Sequence, residues 1–366
     1  MRRAALATVT LLLASCGPRL VFRDAPSLPE PVSNNAVASG RDPDNRAYAY
    51  SFMGINDPDD HATITTSAYR MPIGGGPWER IADVPALDGR GRIGASALSI
   101  GGDVYILGGY SVREDGSEVT DPRVFRYDPT TDSYELVTRV PVEVDDCVAL
   151  AWLDRCIVLV SGWHGPADVP PPHDNVRNVQ IYDVREDTWT QATPIPGPST
   201  GLFGHSGAIA GDRFVVFDGV KVEPTDDGKR RFVISNSAYQ GTLHPLDRST
   251  IEWTALPPHE GRPTYRAAAG GLADGSGRAL VLGGTDNPYN IDGVGYDGEP
   301  SRPLAQAMLI DPETGAFELL AWANGVAPTM DHRGLVAAGP REWLLIGGMT
   351  EPGRATAEVR QIRLRR

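Results

Sequence analysis

One apolar motif recurs six times along this chain of 366 residues, and the recurrence constrains the fold more than any other feature. Each copy is a short apolar run that ends in a doublet of small residues. The doublets end at Gly109, Gly162, Gly219, Gly284 and Gly348, with a weaker first copy at Gly54. Consecutive copies lie 53 to 65 residues apart. This spacing indicates an array of one supersecondary unit, which buries its apolar faces by stacking against its neighbours.

A second marker lies downstream of most doublets. It is an Asp followed six residues later by an aromatic residue, as in Asp128/Tyr134, Asp183/Trp189, Asp247/Trp253 and Asp311/Phe317, with Pro72/Trp78 in the first unit. An Asp side chain accepts a hydrogen bond from the backbone two residues later and so starts a tight turn. The aromatic residue is predicted to fill the gap to the neighbouring unit.

Each unit contains four candidate strands separated by turns. In the second unit these are Gly94–Ile100, Asp103–Leu107, Arg123–Tyr127 and Tyr134–Val137. The high content of glycine and proline, 41 and 31 residues, agrees with many short strands and turns. No segment longer than about one turn shows a helical apolar period. The units therefore predict an all-β propeller with six blades of four antiparallel strands, and a pair of β-sandwiches is the alternative.

The two markers together resemble the kelch repeat, and the resemblance extends over nearly the whole chain after residue 19. The sixth unit lacks its outer strand, because the sequence ends 18 residues after Gly348. The segment Leu20–Asp24 resembles the missing strand. We expect it to pair with Glu358–Leu364, so that residues 20–366 form one domain closed by its own N-terminal strand.

Residues 1–15 have the pattern of an export signal. Arg2 and Arg3 precede an apolar segment too short to span a bilayer. The following residues Leu13 to Cys16 resemble the lipobox of bacterial lipoproteins. This resemblance implies cleavage before Cys16, a lipid on that cysteine and a short tether at residues 16–19. It predicts a cell-envelope protein on the periplasmic side, with the outer membrane favoured because Gly17 is not an acidic retention residue.

Two further cysteines, Cys147 and Cys156, lie on the two inner strands of one blade. The antiparallel register places Cys147 opposite Ser161, too far from Cys156 for a disulfide, so both thiols are expected to be free. The net charge of −13 argues against nucleic acid as a partner. The sequence has no phosphate-binding loop, zinc spacing or nucleophile elbow, and we expect neither cofactor nor metal.

Polar residues in two sets of loops are the candidates for a ligand site at one mouth of the channel. The set before the inner strands contains Arg92, Asp145, Asp146, His205, Arg266, His332 and Arg333; the set after the doublets contains Tyr110, Trp163 and His164. Arginines that converge on one axis need neutralising charge. Asp145, Asp146 and Asp331 could supply it as a structural ion network, or an anionic ligand such as an acidic sugar could supply it.

The order of motifs also resembles the periplasmic N-acetylneuraminate epimerases, which are six-bladed kelch propellers. The resemblance rests on Leu28 to Pro31, on Arg92 sixteen residues before its doublet, and on Arg333. In that family a Glu directly after the fourth doublet is the proposed proton acceptor. The matching residue here is Val220, which cannot transfer a proton, so Glu223 is the candidate catalytic acid. The family's downstream arginine corresponds to Arg230 or Arg231.

Three hypotheses follow. The first is a lipid-anchored propeller that binds a sugar, a glycan or a protein at one channel mouth. The second is an epimerase-like mutarotase that uses Arg92, Arg333 and an acid such as Glu223. The third is a structural envelope protein whose loops bind a partner protein. Galactose oxidase, another kelch enzyme, holds copper with Tyr and His and has extra domains, a pattern that this sequence lacks.

Overall fold

The computed structural model describes residues 17–164 and 176–365. Strands, turns and loops make up these residues, with one 3-10 turn at His61–Thr63. Six antiparallel sheets, each built on four strands in sequence, stand side by side as blades around a central axis, and one of them has a short fifth strand. The predicted all-β propeller of six blades is therefore confirmed. The first strand, β1 (Arg19–Ala25), belongs to the last blade.

Blades 1 to 3 follow in chain order, and their strands are given from the axis outwards. Blade 1 contains β2 (Ala36–Arg41), β3 (Ala47–Ile55), β4 (Ile64–Pro72) and β5 (Glu79–Ile81). Blade 2 contains β6 (Ile93–Ile100), β7 (Asp103–Val112), a short loop strand β8 (Glu118–Thr120), β9 (Arg123–Asp128) and β10 (Ser133–Arg139). Blade 3 contains β11 (Val148–Trp152), β12 (Cys156–Val160), β13 (Val179–Asp183) and β14 (Thr188–Ala192).

Blades 4 to 6 complete the ring, and the connections after the second strands of blades 4 and 5 are the longest of the six. Blade 4 contains β15 (Ser206–Ala210), β16 (Arg213–Phe217), a separate hairpin of β17 (Val220–Pro224) and β18 (Arg230–Ile234), β19 (Ala238–His244) and β20 (Asp247–Leu256). Blade 5 contains β21 (Ala268–Gly271), β22 (Ala279–Leu282), β23 (Ala307–Asp311) and β24 (Ala316–Leu320). Blade 6 contains β25 (Val336–Gly339), β26 (Glu342–Ile346), the hairpin β27 (Met349–Glu351) and β28 (Arg354–Ala355), and β29 (Val359–Arg365).

The ring is closed by β1, which is the outer strand of blade 6. It pairs antiparallel with β29, with Phe22 opposite Ile362 and Ala25 opposite Val359. Leu20 and Ile362 are buried with Trp343 in the cluster between blades 5 and 6. The strand begins at Arg19, so the segment between Cys16 and the fold is shorter than expected. Cys16 and residues 1–15 lie outside the described residues.

One apolar cluster fills each gap between neighbouring blades, and the outer-strand aromatics belong to these clusters. Tyr134 packs between blades 1 and 2, Trp189 between blades 2 and 3, and Trp253 between blades 3 and 4. The four predicted Asp turns also form, since Asp128, Asp183, Asp247 and Asp311 each accept a backbone N–H from two residues later. Both roles predicted for the second marker are confirmed.

The small doublets are backbone features. Both members have positive φ in all six copies, 53–65° at the first position and 74–123° at the second. A Cβ at the second position would lie 2.6–2.9 Å from a backbone carbonyl of the segment before the inner strand. Only glycine tolerates that approach, which explains why the second residue is Gly in every copy. The first residue can be Met53, Ser161 or Asp218, because its left-handed φ costs only modest strain.

Candidate site at the loop-bearing mouth of the channel

A belt of hydrogen bonds surrounds the axis just before the inner strands. Each blade contributes one residue with left-handed φ, namely Asn34, Gly94, Asp146, Gly204, Arg266 and Asp331. In blades 3 to 5 this residue donates its N–H to the carbonyl of its counterpart in the preceding blade, at 2.8–3.1 Å. In blade 6 the donor is the N–H of His332, and in blade 1 Asn34 donates to Asp331. Between blades 1 and 2 a side chain makes the link, because the N–H of Gly94 donates to Asn34 Oδ1 at 2.7 Å.

Four of these belt residues have polar side chains that meet on the axis. Arg266 of blade 5 donates to Asp146 of blade 3 at 2.7 Å and to Asp331 of blade 6 at 3.0 Å. Arg333 forms an ion pair with Asp146 and donates from Nε to Asn34 Oδ1 at 2.6 Å. Blades 3 and 5 are not neighbours, so these contacts cross the channel. We call Asn34, Asp146, Arg266, Asp331 and Arg333 the axial cluster.

The axial cluster neutralises its own charge. Its two arginines face two aspartates, and the ion-paired side chains are at most 6% exposed. Burial opposes ionisation of Asp146, but Arg266 and Arg333 hold its pKa below the usual range. Burial likewise opposes the charge of Arg266, whose pKa nevertheless lies well above its usual value because of Asp146 and Asp331. The geometry therefore matches the structural ion network, and no anion is needed to balance these arginines.

Arg92 is not part of this cluster. Its buried guanidinium donates to Asp121 at 2.8 Å and to the carbonyl of Gly108, and Asp121 also pairs with Arg123. Burial lowers the pKa of Arg92 to about 10, so it remains charged at neutral pH. The expectation that Arg92 and Arg333 face the same mouth is wrong. Arg92 lies within blade 2 because Asp121, in the connection to β9, supplies the charge that its burial requires.

The other acids and histidines of the first loop set lie beside the axial cluster. Asp145 accepts from Thr120 at 3.0 Å, and burial with the nearby Asp146 and Glu118 raises its pKa well above the usual range. Burial lowers the pKa of His205 to about 4 and that of His332 to about 3. His332 Nε2 lies 2.9 Å from Thr329 Oγ1. Both imidazoles are thus neutral at physiological pH and add no positive charge.

A small polar cavity lies against the axial cluster inside the channel. It has a volume of about 80 Å³ and is lined by Ser96, Cys147, His205, Ser206, Arg266 and Arg333 among others. Ser206 Oγ, both ring nitrogens of His205 and Arg333 Nη2 have no hydrogen-bond partner among the described residues. This volume suits a few water molecules and is too small to enclose a monosaccharide.

An apolar cap covers the axial cluster on the loop side. Phe203, Val220, Tyr265, Tyr289 and Met349 form its buried centre. The loop between β22 and β23 crosses this mouth, and its Asn290 connects Tyr110 and Glu118 of blade 2 to Arg266 of blade 5. Tyr110 therefore contacts the crossing loop, while its ring packs in a second apolar cluster with Ile55 and Ile93. The cap separates the axial arginines from solvent at this end.

The outer side of the cap carries a large groove between the β17–β18 hairpin and the crossing loop. Its volume is about 750 Å³, within the range of small-molecule sites. We call it the hairpin groove; it is lined by Glu223, Arg230, Arg231, Phe232, Val233, Ile234, Asn287, Pro288, Tyr296 and Asp297. Phe232 and Tyr296 stack with ring centroids 3.9 Å apart. Trp163 packs behind Phe232, whereas His164 is bonded to the carbonyl of Glu143.

Comparisons with known proteins agree with this architecture. A model described as "Kelch motif" matches residues 91–141. N-acetylneuraminate epimerase of Salmonella typhimurium is 23% identical over 297 residues, which cover 72% of this chain and 69% of the relative. Kelch-like protein 15 of Homo sapiens is 22% identical over 181 residues, 50% of this chain and 28% of that protein. The solved "Structure of YjhT" superposes with a TM-score of 0.69 at 15% identity, covering 93% and 99% of the two chains. The protein is a kelch propeller that resembles the N-acetylneuraminate epimerases.

The residues predicted for an epimerase-like reaction do not come together in this kelch propeller. Arg92 pairs with Asp121, Arg333 lies on the axis, and Glu223 lies in the hairpin groove. Val220 is fully buried in the cap. Carboxyl groups do lie within hydrogen-bond reach of the axial arginines, but they are Asp146 and Asp331, both already ion-paired.

Glu223 is a half-buried, ion-paired side chain. Lys221 and Arg231 hold its pKa below the usual range through their hydrogen bonds and charge. A lowered pKa makes a carboxylate a weak proton acceptor at neutral pH. Within residues 17–164 and 176–365, no three His, Cys, Asp or Glu side chains converge as metal ligands, and no helix is long and apolar enough to cross a membrane.

Sequence reasoning missed several residues of the site. Asn34 occupies in blade 1 the belt position of Asp146, Arg266 and Asp331. Like Asp146 and Arg266 it lies two residues before its inner strand, and this shared spacing is the signal that could have found it. Phe232 and Tyr296 had no comparable signal. They lie in the long connections after the second strands of blades 4 and 5, and they meet only because the hairpin of blade 4 folds against the crossing loop of blade 5.

Proposed function

We propose that this kelch propeller is a lipid-anchored envelope protein that binds a sugar or glycan in the hairpin groove. The observation that carries the proposal is a ligand-sized groove at the loop-bearing mouth, in which a stacked aromatic pair lies among polar side chains. Small-molecule sites typically combine such an apolar surface with a few polar groups that orient the ligand.

The aromatic pair provides a firm apolar surface. Phe232 contacts Trp163 and Phe203, so it is tied to the buried cap. Tyr296 stacks on Phe232 and is still 43% exposed. An aromatic ring held in this way can pack against the apolar face of a sugar with little loss of conformational entropy.

Polar groups on both sides of the groove suit hydroxyl and carboxylate groups. Glu223 and Arg231 come from the hairpin, and Asn287 and Asp297 from the crossing loop. Asn287 already donates to Asp297 at 3.0 Å, which orients its amide. The two acids can accept from hydroxyls, and Arg231 can donate to a hydroxyl or to the carboxylate of an acidic sugar.

The axial cluster supports this site rather than competing with it. Its arginines are neutralised internally and lie beneath the apolar cap, beside a cavity too small for a sugar. Its contacts join blades 1, 3, 5 and 6, which holds the loops of the mouth in place. We assign the arginines a structural role and the hairpin groove the ligand.

The proposed anchor is a lipid on Cys16, which places the protein on the periplasmic side of the envelope, with the outer membrane favoured. Support comes from the lipobox-like residues Leu13 to Cys16 after a short apolar segment. Mass spectrometry of the N-terminal peptide from the membrane fraction tests the anchor. A lipid-modified peptide beginning at Cys16 is expected, and an unmodified N-terminus would contradict it.

A thermal-shift screen against neutral and acidic sugars tests the ligand, because specific binding raises the apparent melting temperature by mass action. Tyr296→Ala should weaken a hit at least tenfold in Kd, since it removes the exposed ring. Tyr296→Phe, which keeps the ring, is the matched control and should bind as the wild type does. No hit in the screen, or equal affinity of the Tyr296→Ala variant, would overturn the proposal and favour a protein partner at these loops.

A second candidate is mutarotation of N-acetylneuraminate. Two observations favour it: the relatives that carry the epimerase name, and the Glu223 carboxylate beside Arg231 in the groove. If Glu223 is the proton acceptor, Glu223→Gln should slow anomer exchange about 10²–10⁴-fold. Proton NMR measures the exchange directly, and a wild-type rate equal to that of buffer would end this candidate.

A further inference from the structure

The two outermost strands of blade 6, β1 and β29, place four arginines on one surface. In the β1–β29 pair Arg19 lies opposite Arg365 and Val21 lies opposite Arg363. Arg23 follows two residues after Val21 on the same strand. Directly opposed and alternate residues share one face of an antiparallel sheet. Arg19, Arg23, Arg363 and Arg365 therefore lie on the same face, and all four are exposed. We call them the basic face.

Most of the charge on the basic face is not neutralised. Arg363 pairs with Glu342 of the neighbouring strand β26. Arg19, Arg23 and Arg365 form no ion pair with any residue in the described part of the chain. On the opposite face of the same strands, Arg360 pairs with both Asp24 and Glu358. In a chain of net charge −13, the basic face is a local excess of positive charge.

The position of the basic face in the chain relates it to the membrane. Arg19 is three residues after Cys16. Three residues span at most about 11 Å, so a lipid on Cys16 would hold the start of β1 close to the bilayer surface. This step rests on the anchor proposed above, whereas the arrangement of the arginines does not.

We propose that the basic face is a docking surface for anionic phospholipid headgroups. Guanidinium groups donate two parallel hydrogen bonds to phosphate, and attraction to an anionic surface acts within about a Debye length. The remaining negative charge of the protein disfavours flat, unspecific adsorption and favours contact through this edge. The basic face shares no residue with the hairpin groove, so docking leaves the groove available.

The test uses protein that begins at Gly17, because the described residues from Gly17 onwards contain all six blades and the closing strand. Flotation with vesicles of phosphatidylcholine alone is compared with flotation with vesicles in which about one third of the lipid is anionic phosphatidylglycerol. We expect binding only to the anionic vesicles, weakened by added salt. The triple variant Arg19→Gln, Arg23→Gln, Arg365→Gln should lose about 100-fold in affinity, at about fivefold for each arginine.

A matched control removes the same charge elsewhere. Arg80, Arg113 and Arg213 are exposed on blades 1, 2 and 4, and their triple replacement by Gln should leave vesicle binding within about twofold of the wild type. Equal binding to neutral vesicles, equal loss in the two triple variants, or no binding to anionic vesicles would overturn the proposal. Displacement by inorganic phosphate at constant ionic strength would indicate a phosphate site and would also overturn it. The outcome does not depend on acylation, because the tested form begins at Gly17 and therefore lacks Cys16.

Discussion

Replacing Asn34 tests the hydrogen-bond belt at the point where a side chain closes it. Asn34 is 1% exposed and its Oδ1 accepts from the N–H of Gly94 at 2.7 Å and from Arg333 Nε at 2.6 Å. Asn34→Ala leaves the buried N–H of Gly94 without an acceptor, which costs about 1–3 kcal/mol. It also removes a charge-assisted bond worth about 1.5–3 kcal/mol, and it forces Ala into a left-handed φ at a cost of about 1–2 kcal/mol.

These contributions share one oxygen and are not additive, so we expect a loss of about 3–6 kcal/mol in the free energy of unfolding. Unfolding entropy scales with length, and for about 350 residues 1 kcal/mol corresponds to about 1.4 °C in melting temperature. Asn34→Ala should therefore lower Tm by about 4–8 °C in a calorimetric scan.

Two further substitutions separate the contributions. Asn34→Gly accepts the left-handed φ of 57° and should be more stable than Asn34→Ala by about the strain alone, 1–2 kcal/mol. Asn34→Asp keeps the acceptor oxygen and should lose less than half as much as Asn34→Ala. If Asn34→Ala melts within 1 °C of the wild type, or if Asn34→Asp is as damaging as Asn34→Ala, the Asn34 side chain does not stabilise the belt.

Three other predictions concern closure, thiols and pH. Deleting residues 17–29 removes the outer strand of blade 6 and should lower Tm by several degrees or prevent folding; an unchanged Tm would contradict closure by β1. Cys147 and Cys156 are free, so titration of denatured, unreduced protein should find both thiols, whereas native Cys147 should react slowly because burial raises its pKa to about 12. Burial lowers the pKa of His205 from 6.5 to about 4, so below pH 6.5 the unfolded chain binds a proton that the folded protein does not. His205 should thus contribute a fall in stability of up to about 1.4 kcal/mol per pH unit between pH 6.5 and 4, in addition to that of His332. His205→Asn should reduce the slope in urea titrations by this amount, and an unchanged slope would refute the assignment.

The architecture followed from the sequence because its signals are local. A doublet needs glycine at its second position because a Cβ there would lie within 2.9 Å of a backbone carbonyl of the segment before the inner strand, and an Asp turn forms from residues two apart. The doublet geometry recurs in all six blades and the Asp turn in four of them, so the copies indicate the same local structure repeatedly. The register that keeps Cys147 away from Cys156 was equally local, since Val148 pairs with Val160 as the intervening turn dictates.

The site depended on contacts between distant segments, which no local pattern encodes. Arg92 and Arg333 both lie shortly before inner strands, yet Asp121 holds the first within its own blade, while Asp146, three blades away around the ring, pairs with the second on the axis. The crossing loop between β22 and β23 then covers that axis and, with the β17–β18 hairpin, creates the groove where Phe232 meets Tyr296. The repeat thus determined the blades, because backbone geometry is set by neighbours in sequence. The ion-pair partners of the arginines and the shape of the channel mouth were decided only in the closed ring. A buried arginine needs a carboxylate beside it, and only the tertiary fold determines which carboxylate comes within reach.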